Sequence, residues 1–352
     1  MNQPTRVLHL HFGKDGGAER FFVNLAQAFA RRGVEQKFIF RPDRIWKSEV
    51  EMHGEVIENN FRRLTLSGNL MHFRVRRLCK DWRPHAIMAW MPRAARLLPN
   101  WDDAVKFARL GDYPKTLKHF SNCDALVGNT PQIAAHCRDL GWDRPALTIS
   151  NFARPIAINK VQRNDFGTPQ DAFLVSAVGR FVNRKGMDLV IRAVAKIPDA
   201  WLWLIGDGKE RDQLQQLVHS EGISDRTRFI GWVAEPSDYI AASDAFAVAS
   251  RHEPLGNVIL EGWHANVPIV STKSEGPSWY MKHGENGLMV DIDDVDQLAA
   301  GLGELRNSQQ LCAKLVQGGQ ATLETMFSED RIVSDYLRLF HGDLSDPMAG
   351  RQ

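Results

Sequence analysis

The sequence predicts an α/β protein built from two Rossmann-like domains. Three observations predict this fold class: a length of 352 residues, the alternation of short apolar runs with helical periodicity, and the restart of that alternation after residue 171. Pro155, Gly167 and Pro169 interrupt any periodicity between the two series. We therefore expect an N-terminal domain over 1–152, a linker over 153–171, a second domain over 172–327, a C-terminal helix over 328–342 that packs back toward the first domain, and a tail over 343–352.

The first domain is expected to begin with a strand, a glycine turn and a helix. Residues 7–11 form a short apolar run, residues 13–17 contain three glycines, and residues 18–32 are amphipathic and end before Gly33. The same reasoning predicts strands at 37–40, 86–90, 105–110, 125–128 and 147–150, and a helix that starts at 130 or 131 and ends at 140.

The second domain repeats this alternation. Its apolar runs are short and lack a polar face, as in strands of a parallel sheet that is covered on both sides. The predicted strands are 173–178, 201–205, 228–230, 245–249 and 269–271, and the predicted helices are 186–195, 209–219, 236–242 and 257–265.

Composition places the chain among soluble globular proteins. Apolar residues make up 43% and charged residues 24%, and no run approaches the roughly 18 apolar residues of a membrane-spanning helix. The N-terminal segment lacks the apolar core of a signal peptide, so we expect a cytoplasmic protein. The four cysteines show no paired spacing and should be reduced thiols, not a zinc site; they are Cys79, Cys123, Cys137 and Cys312.

Positive charge is concentrated in the first domain. Residues 1–150 hold 24 Lys and Arg against 15 Asp and Glu, a net charge of +9, whereas the rest holds 20 against 27, a net charge of −7. In 61–83, Met71, Val75, Leu78 and Trp82 recur at helical spacing and leave the cations outward. We expect these cations to dock on an anionic membrane surface, although a solvated helix face is the alternative. They are Arg62, Arg63, Arg74, Arg76, Arg77 and Lys80. Nucleic acid is a rival partner, but no recognition module is present.

The segment 251–262 places two carboxylates around a strand-to-helix turn. Glu253 follows a predicted strand, and Glu261 lies eight positions later on the next helix. The start of that helix, at Leu255, Gly256 and Asn257, leaves backbone N–H groups unpaired, which suits an anion or a sugar oxygen. The two acids could each bind hydroxyls of a sugar or a ribose; alternatively, Glu253 caps the helix and Glu261 is solvated.

Two loops after predicted strands could hold phosphates. Arg180 and Lys185 lie five residues apart between Gly179 and Gly186, so both could reach one diphosphate, although two solvated cations are the alternative. Gly16 and Gly17 open the first helix and would let a ligand approach the backbone, or they serve only the turn. Further strand ends, which would form a wall for a flat base, contain Gly206, Trp232 and Val233.

These motifs, together with the Gly-Glu-Asn-Gly-Leu run at 284–288, stand in the order seen in retaining glycosyltransferases of the GT-B fold, family four. The chain resembles this family most specifically over 172–291. The resemblance implies two Rossmann-like domains that face a central cleft. It also implies transfer of a hexose with retention of anomeric configuration and without a metal ion.

The resemblance also implies roles for individual residues. Arg180 and Lys185 match the pair that neutralises the donor diphosphate, Glu261 matches the ribose-binding acid, and Glu253 matches the residue that faces the donor sugar. The backbone of 255–257 should contact sugar and phosphate, while Gly16 and Gly17 should close on the diphosphate from the other domain.

The chain departs from the family pattern at two places. A histidine commonly follows the strand at 105–110, but here the sequence continues with Gly111 and Asp112, so Asp112 or Arg109 is the expected replacement. The segment 275–280 also differs, which suggests a differently shaped sugar pocket. Asp291 and Asp293 resemble a metal-binding pair of another glycosyltransferase fold, but we interpret them as a strand end.

The overall layout resembles bacterial lipopolysaccharide-core glycosyltransferases, mannosyltransferases among them. This finer resemblance implies a donor such as GDP-mannose or a UDP-hexose, a glycolipid acceptor and a peripheral location at the inner face of the cytoplasmic membrane, with no cofactor required. Two alternatives stay open: a catalytically inactive module that binds nucleotide sugars, and a nucleotide-sugar epimerase on the same fold.

Overall fold

The computed structural model describes residues 4–14, 16–60, 66–154 and 156–349, and for 66–69 it describes the backbone only. The chain divides into two compact units. The first unit comprises Met1–Asn151 together with Glu329–Gln352, and the second comprises Phe152–Ser328.

The first unit is built on a parallel sheet of seven strands. Its strands are β1 (Arg6–His11), β2 (Glu35–Phe40), β3 (Gly54–Glu58), β4 (Ala86–Trp90), β5 (Val105–Leu110), β6 (Ala125–Gly128) and β7 (Ala146–Thr148). They lie in the order β3-β2-β1-β4-β5-β6-β7, so the direction of winding reverses between β1 and β4. β4 and β6 are buried along their whole length, as expected for a sheet covered on both faces.

Helices cover both faces of this sheet. They are α1 (Gly17–Arg31), α2 (Lys47–Glu51), α3 (Leu66–Trp82), α4 (Met91–Ala95), α5 (Pro131–Asp139) and α13 (Glu329–Phe340). The C-terminal helix α13 packs on α1, where the rings of Phe29 and Phe340 lie 5.2 Å apart and Arg31 pairs with Glu329 at 2.6 Å. Met71 and Val75 of α3 are fully buried, which confirms the predicted inward face of this helix. Arg62 and Arg63 lie outside the described residues.

The second unit is built on a parallel sheet of six strands. These are β8 (Leu174–Val178), β9 (Trp201–Ile205), β10 (Thr227–Gly231), β11 (Ala245–Val248), β12 (Ile269–Thr272) and β13 (Leu288–Val290). The order is β10-β9-β8-β11-β12-β13, so the reversal falls between β8 and β11. Counted within the unit, this is the 3-2-1-4-5-6 order of dinucleotide-binding folds, in which ligands bind where the strand order reverses.

The helices of the second unit pack against both faces of its sheet. They are α6 (Met187–Ala195), α7 (Arg211–Ser220), α8 (Pro236–Ile240), α9 (Asn257–His264), α10 (Pro277–Tyr280), α11 (Val295–Asn307) and α12 (Gln309–Met326). On one face Val190 of α6 and Leu302 of α11 belong to one apolar cluster with Val175 and Val270 of the sheet. On the other face Ile259 and Trp263 cluster with Phe246. None of the helices in the described ranges is long and apolar enough to cross a bilayer.

Candidate functional site

The strand order of the second unit brings two predicted loops together. The loop after β8 contains Arg180 and Lys185, and the loop after β11 contains Glu253. Because β8 and β11 are hydrogen-bonded neighbours at the point of reversal, these loops leave the same edge of the sheet side by side. In parallel α/β sheets this position is the usual ligand crevice.

Lys185 and Glu253 form the central contact of this edge. The Lys185 ammonium donates a hydrogen bond to Glu253 Oε2, and the Ser250 hydroxyl donates to the same oxygen at 3.1 Å. The Lys185 side chain is only 13% exposed and that of Glu253 only 11%. The structure therefore joins two predicted residues into a nearly buried ion pair, a contact that the sequence did not predict.

Gly186 allows the two loops to approach this closely. Its φ of 63° lies in the left-handed region, and a Cβ at this position would lie 1.9 Å from the carbonyl oxygen of Ala249. The backbone of Ala249 therefore excludes a side chain at residue 186, in addition to the restriction that the positive φ imposes. The glycine holds the β8 loop against the end of β11 and so places Lys185 beside Glu253.

The turn at 253–256 is held by contacts from residues further along the chain. Glu275 accepts a hydrogen bond from the backbone N–H of Glu253 at 3.1 Å, and its other oxygen contacts His252 Nδ1 at 2.8 Å. Burial alone would raise the pKa of Glu275, but backbone donors and His252 outweigh it and the pKa is lowered. The Tyr280 hydroxyl donates to the Leu255 carbonyl at 2.6 Å, and burial followed by the Glu253 charge raises the pKa of Tyr280. The unusual 275–280 segment therefore braces this turn, a function that its sequence did not indicate.

The run at 284–288 supports the same turn from behind. Asn286 is buried and donates to the Tyr280 carbonyl at 3.0 Å, while the Trp263 indole donates to the Asn286 carbonyl at 2.9 Å. The Asn286 amide thus ties α10 to the helix that carries Glu261. This part of the motif positions the site and does not line it.

Helix α9 begins after Gly256, without a side-chain cap. Gly256, the residue before the helix, has φ 90° and, as a glycine, provides no side-chain cap. The N–H groups at the start of a helix lack intrahelical partners and favour an anion. Asn257 and Glu261 lie one turn apart on this helix and are both partly buried. The predicted backbone donors therefore lie next to Glu253.

A second ion pair, absent from the sequence analysis, clamps the two loops. Arg251 donates to both carboxylate oxygens of Asp188, at 2.9 and 2.8 Å, and also to the Asn183 carbonyl at 2.7 Å. Asp188 lies in the first turn of α6. Burial would raise the pKa of Asp188, but its hydrogen bonds to Arg251 and Arg192 lower it. The fork-like geometry fixes the β11 loop to the start of α6.

Arg180 and the glycines beside it lie at the outer part of the same edge. Arg180 is exposed, and within the described part of the chain no carboxylate pairs with it. The backbone N–H of Gly179 donates to Ile205 at 3.0 Å, and a Cβ at Gly206 would lie 2.1 Å from the Gly179 carbonyl oxygen. These glycines therefore serve close packing between the ends of β8 and β9.

The residues predicted to form a wall for the nucleotide base differ in exposure. Trp232 is 64% exposed, whereas Val233 packs against the apolar cluster that contains Ile205 and Trp203. Further along, Asp291 pairs with Lys273 at 2.6 Å and Asp293 pairs with Arg251 at 2.6 Å. The two acids of the Asp-x-Asp pattern thus bind separate basic side chains.

In the first unit, the predicted glycines lie at the reversal between β1 and β4. Gly16 has φ 145° and precedes α1, which begins at Gly17. The buried Glu19 side chain folds back over this loop, so that a Cβ at Gly13 would lie 1.7 Å from its Oε1. A side chain at Gly13 would therefore displace Glu19, whereas the sequence had pointed to Gly16 and Gly17.

The two candidates for the missing histidine differ in burial. Arg109 is only 3% exposed and its guanidinium stacks on Phe21 and Trp90, at 4.6 and 5.2 Å from the ring centres. Asp112 is exposed, and its Oδ1 accepts a hydrogen bond from the backbone N–H of Tyr113 at 2.8 Å. Arg109 is buried near the carboxyl end of β5, whereas Asp112 lies on the surface, so the two residues are not equivalent replacements for the histidine.

The cations of α3 point outward. Arg74, Arg76, Arg77 and Lys80 are all exposed, and Arg77 pairs only loosely with Asp81, at 3.6 Å. Two apolar side chains of the same helix are also exposed, Leu70 by 56% and Phe73 by 64%. The cations of this surface were predicted from the sequence, but its apolar members, Leu70 and Phe73, were not.

Comparison with known proteins gives matches along most of the chain. The profile of the family described as "Glycosyl transferases group 1" matches residues 159–322. Two lipopolysaccharide core biosynthesis glycosyltransferases of Rhizobium meliloti (strain 1021) are each 47% identical: LpsE over 95% of this chain and 98% of its own length, and LpsD over the same shares.

Solved structures show the fold. The structure of Anabaena HepE in complex with UDP and glucose aligns with a TM-score of 0.77 at 22% identity, covering 95% of this chain and 99% of HepE. WaaG, a glycosyltransferase involved in lipopolysaccharide biosynthesis, aligns with a TM-score of 0.70 at 17% identity, covering 96% and 100%. The predicted GT-B fold class is confirmed.

Proposed function

Because the chain belongs to the group 1 glycosyltransferases, we propose that it is a metal-independent, retaining hexosyltransferase that uses a nucleoside-diphosphate sugar. One observation supports this proposal above all others. The strand order of the second unit places Lys185 against Glu253, beside the uncapped start of α9. A cation, a carboxylate and backbone amides therefore adjoin at the edge where such sheets bind nucleotides.

The charges at this edge suit a diphosphate. Arg180 is exposed and lacks a carboxylate partner within the described ranges, and the first amides of α9 add partial positive charge. Lys185 is held nearby by Glu253, which keeps the ammonium in place before the donor arrives. Fixed cations of this kind stabilise the charge that develops on a departing diphosphate.

The proposed chemistry needs no group beyond the two substrates. The bond between the anomeric carbon and the diphosphate oxygen breaks, and the acceptor hydroxyl oxygen bonds to that carbon from the same face. The hydroxyl proton passes to the leaving phosphate oxygen. Glu253, hydrogen-bonded by Lys185 and Ser250, is placed to bind a sugar hydroxyl, while Arg180 and Lys185 stabilise the leaving group.

Glu261 is proposed to bind the ribose. It lies on α9, one turn beyond Asn257, and is partly buried. Loss of a charged hydrogen-bonding partner is worth about 1–3 kcal/mol, so Glu261→Ala should weaken nucleoside-diphosphate binding by about 5- to 150-fold. Calorimetric titration measures this change, and Glu304→Ala, which removes an exposed acid from α11, is the matched control. Equal affinity of Glu261→Ala and wild type would remove the ribose assignment.

The acceptor is proposed to be a lipopolysaccharide-core intermediate or another glycolipid. The names of the two Rhizobium relatives support this choice. Mannose is our first choice of sugar, from GDP-mannose, with UDP-hexoses next. A thermal-shift screen of GDP, UDP and their sugars identifies the donor, because a ligand that binds only the folded protein raises its unfolding temperature, and at equal concentration the tighter ligand raises it more.

The outward surface of α3 supports a peripheral position at the inner face of the cytoplasmic membrane. Leu70, Phe73, Arg74 and Arg77 follow the i, i+3, i+4, i+7 spacing of a single helix face. Exposed apolar side chains among cations are typical of helices that lie in the interface of anionic bilayers. Arg76 and Lys80 add charge beside this face, and Arg62 and Arg63 precede it in the chain.

Vesicle binding tests this surface. Replacing Arg74, Arg76 and Arg77 with Ser should weaken sedimentation with phosphatidylglycerol vesicles but leave nucleotide binding unchanged. The matched control replaces three exposed lysines of the second unit with Ser and removes the same charge; these are Lys160, Lys209 and Lys314. If both triple variants bind vesicles as the wild type does, the docking surface is refuted.

A transfer assay tests the catalytic proposal. Wild-type protein should release nucleoside diphosphate and attach the sugar to an extracted glycolipid fraction, whereas Arg180→Ala should bind glycolipid and lose most turnover. Binding of a nucleotide sugar with no turnover on any acceptor would instead identify an inactive module. A changed sugar that is still attached to its nucleotide would identify an epimerase.

A further inference from the structure

Buried polar side chains cluster at the carboxyl ends of β5, β6 and β7. Each is no more than 4% exposed, and the group consists of Arg109, Asn129, Thr130, Ser150 and Asn151. Four of them carry a buried polar atom without a hydrogen-bond partner among the described residues: Arg109 Nε, Asn129 Oδ1, Thr130 Oγ1 and Ser150 Oγ. Buried polar groups are usually satisfied, so such a concentration marks a place where the protein alone leaves hydrogen bonds unmade.

Arg109 is a buried cation without a carboxylate partner in the described part of the chain. One of its NH2 groups donates to Asn151 Oδ1, and its plane lies between Phe21 and Trp90. The nearby His11 is itself buried, and its pKa is lowered to about 3, so it is neutral at physiological pH. Burial also lowers the pKa of Arg109. A buried charge that no anion compensates is costly, and a ligand anion would relieve that cost.

Gly111 leaves room for such a ligand beside Arg109. A Cβ at Gly111 would lie 3.5 Å from Arg109 Nη1 and 3.9 Å from Asn129 Nδ2. Gly111 itself is exposed, so this side of both nitrogens borders solvent. Two donors therefore converge on one solvent-accessible point, where the glycine has no side chain.

We propose that Arg109, Asn129 and Gly111 form an anion subsite that binds a carboxylate or phosphate group of the acceptor. Two neighbouring N–H donors suit two oxygens of one planar or tetrahedral anion. A neutral hydroxyl would leave the guanidinium charge uncompensated. That the bound anion belongs to the acceptor rests on the proposed function, whereas the subsite itself rests on the contacts of the first unit.

Titration of the full-length protein with small anions tests the subsite directly. The probes are glucuronate and inorganic phosphate, with glucose as the neutral reference, and the readout is the NMR signal of the Asn129 side-chain amide. A saturable shift with glucuronate alone assigns an acidic sugar, and one with phosphate alone assigns a phosphorylated group. Glucose should cause no saturable shift.

Gly111→Ala is the decisive variant because its Cβ would fill the subsite at ordinary contact distance, without a positive φ at this residue. It should abolish the anion-dependent shift, and Arg109→Lys should weaken binding about tenfold or more, because an ammonium lacks the guanidinium fork. Gly303→Ala, which adds a methyl group to open space on α11, should bind the anion as wild type does.

Two results would overturn the subsite: no saturable shift with either anion, or equal affinity in wild type and Gly111→Ala. The second remains decisive even if Arg109→Lys fails to fold. Nucleoside-diphosphate binding by Gly111→Ala, measured by calorimetry, should match wild type. If wild type binds no nucleotide, the proposed function fails, while the anion titration still decides the subsite.

Discussion

Replacing Glu253 with Gln should destabilise the second unit, because it leaves the Lys185 ammonium in a nearly buried site without its carboxylate. The side chains of the pair are 11% and 13% exposed, so solvent compensates little of the lost interaction. Removing one member of a buried pair costs about 3–5 kcal/mol. Since Gln retains the shape and one acceptor oxygen, we expect the lower end, about 3 kcal/mol.

A double-mutant cycle separates this pair from its surroundings. Lys185→Met alone should also destabilise the unit, whereas the double variant Lys185→Met/Glu253→Gln should recover most of the loss, with a coupling energy of about 2 kcal/mol or more. The assay is urea unfolding of the full-length protein followed by hydrogen-exchange protection of the β11 amides, which reports the second unit alone. Additive single effects, with no recovery in the double variant, would refute the buried pair.

Two further predictions concern stability. Gly186→Ala should lower the free energy of unfolding by about 2 kcal/mol or more, because the residue has φ 63° and its Cβ would meet the Ala249 carbonyl. The control Gly303→Ala should be neutral or stabilise α11 by about 0.5–1 kcal/mol. Equal urea midpoints for the two variants would contradict this prediction. Burial lowers the pKa of His9 and His11 from 6.5 to about 3. The stability that depends on their neutral state is therefore fully present above pH 6.5 and is lost as the pH falls toward 3. Calorimetry at pH 5 should therefore detect uptake of about two protons on unfolding, and uptake of none would disprove the neutral buried state.

Most of the strands that sequence reasoning identified are buried along most of their length, although β10 is only partly buried. Ala86–Trp90 is apolar throughout and completely buried, so its composition alone indicates a central strand. Gly54–Glu58 was missed because it is an edge strand with two glutamates and half-exposed side chains. Leu288–Val290 was also missed; it is a three-residue edge strand that directly follows the Gly-Glu-Asn-Gly run.

The candidate site was predictable only where its residues are neighbours in sequence. The Glu253 and Glu261 spacing and the Arg180 and Lys185 loop can be recognised locally. The contacts that position them join residues far apart: 68 positions separate Lys185 from Glu253, and 63 separate Asp188 from Arg251. Only the adjacency of β8 and β11 in the sheet brings these pairs together.

A crystal structure of the protein with a nucleoside diphosphate would test most directly whether the edge between β8 and β11 is the donor site. We expect the diphosphate oxygens within hydrogen-bond distance of Arg180, Lys185 and the first amides of α9, and the ribose hydroxyls on Glu261. A nucleotide bound at any other edge of the second sheet, with these side chains out of reach, would contradict the proposed donor site.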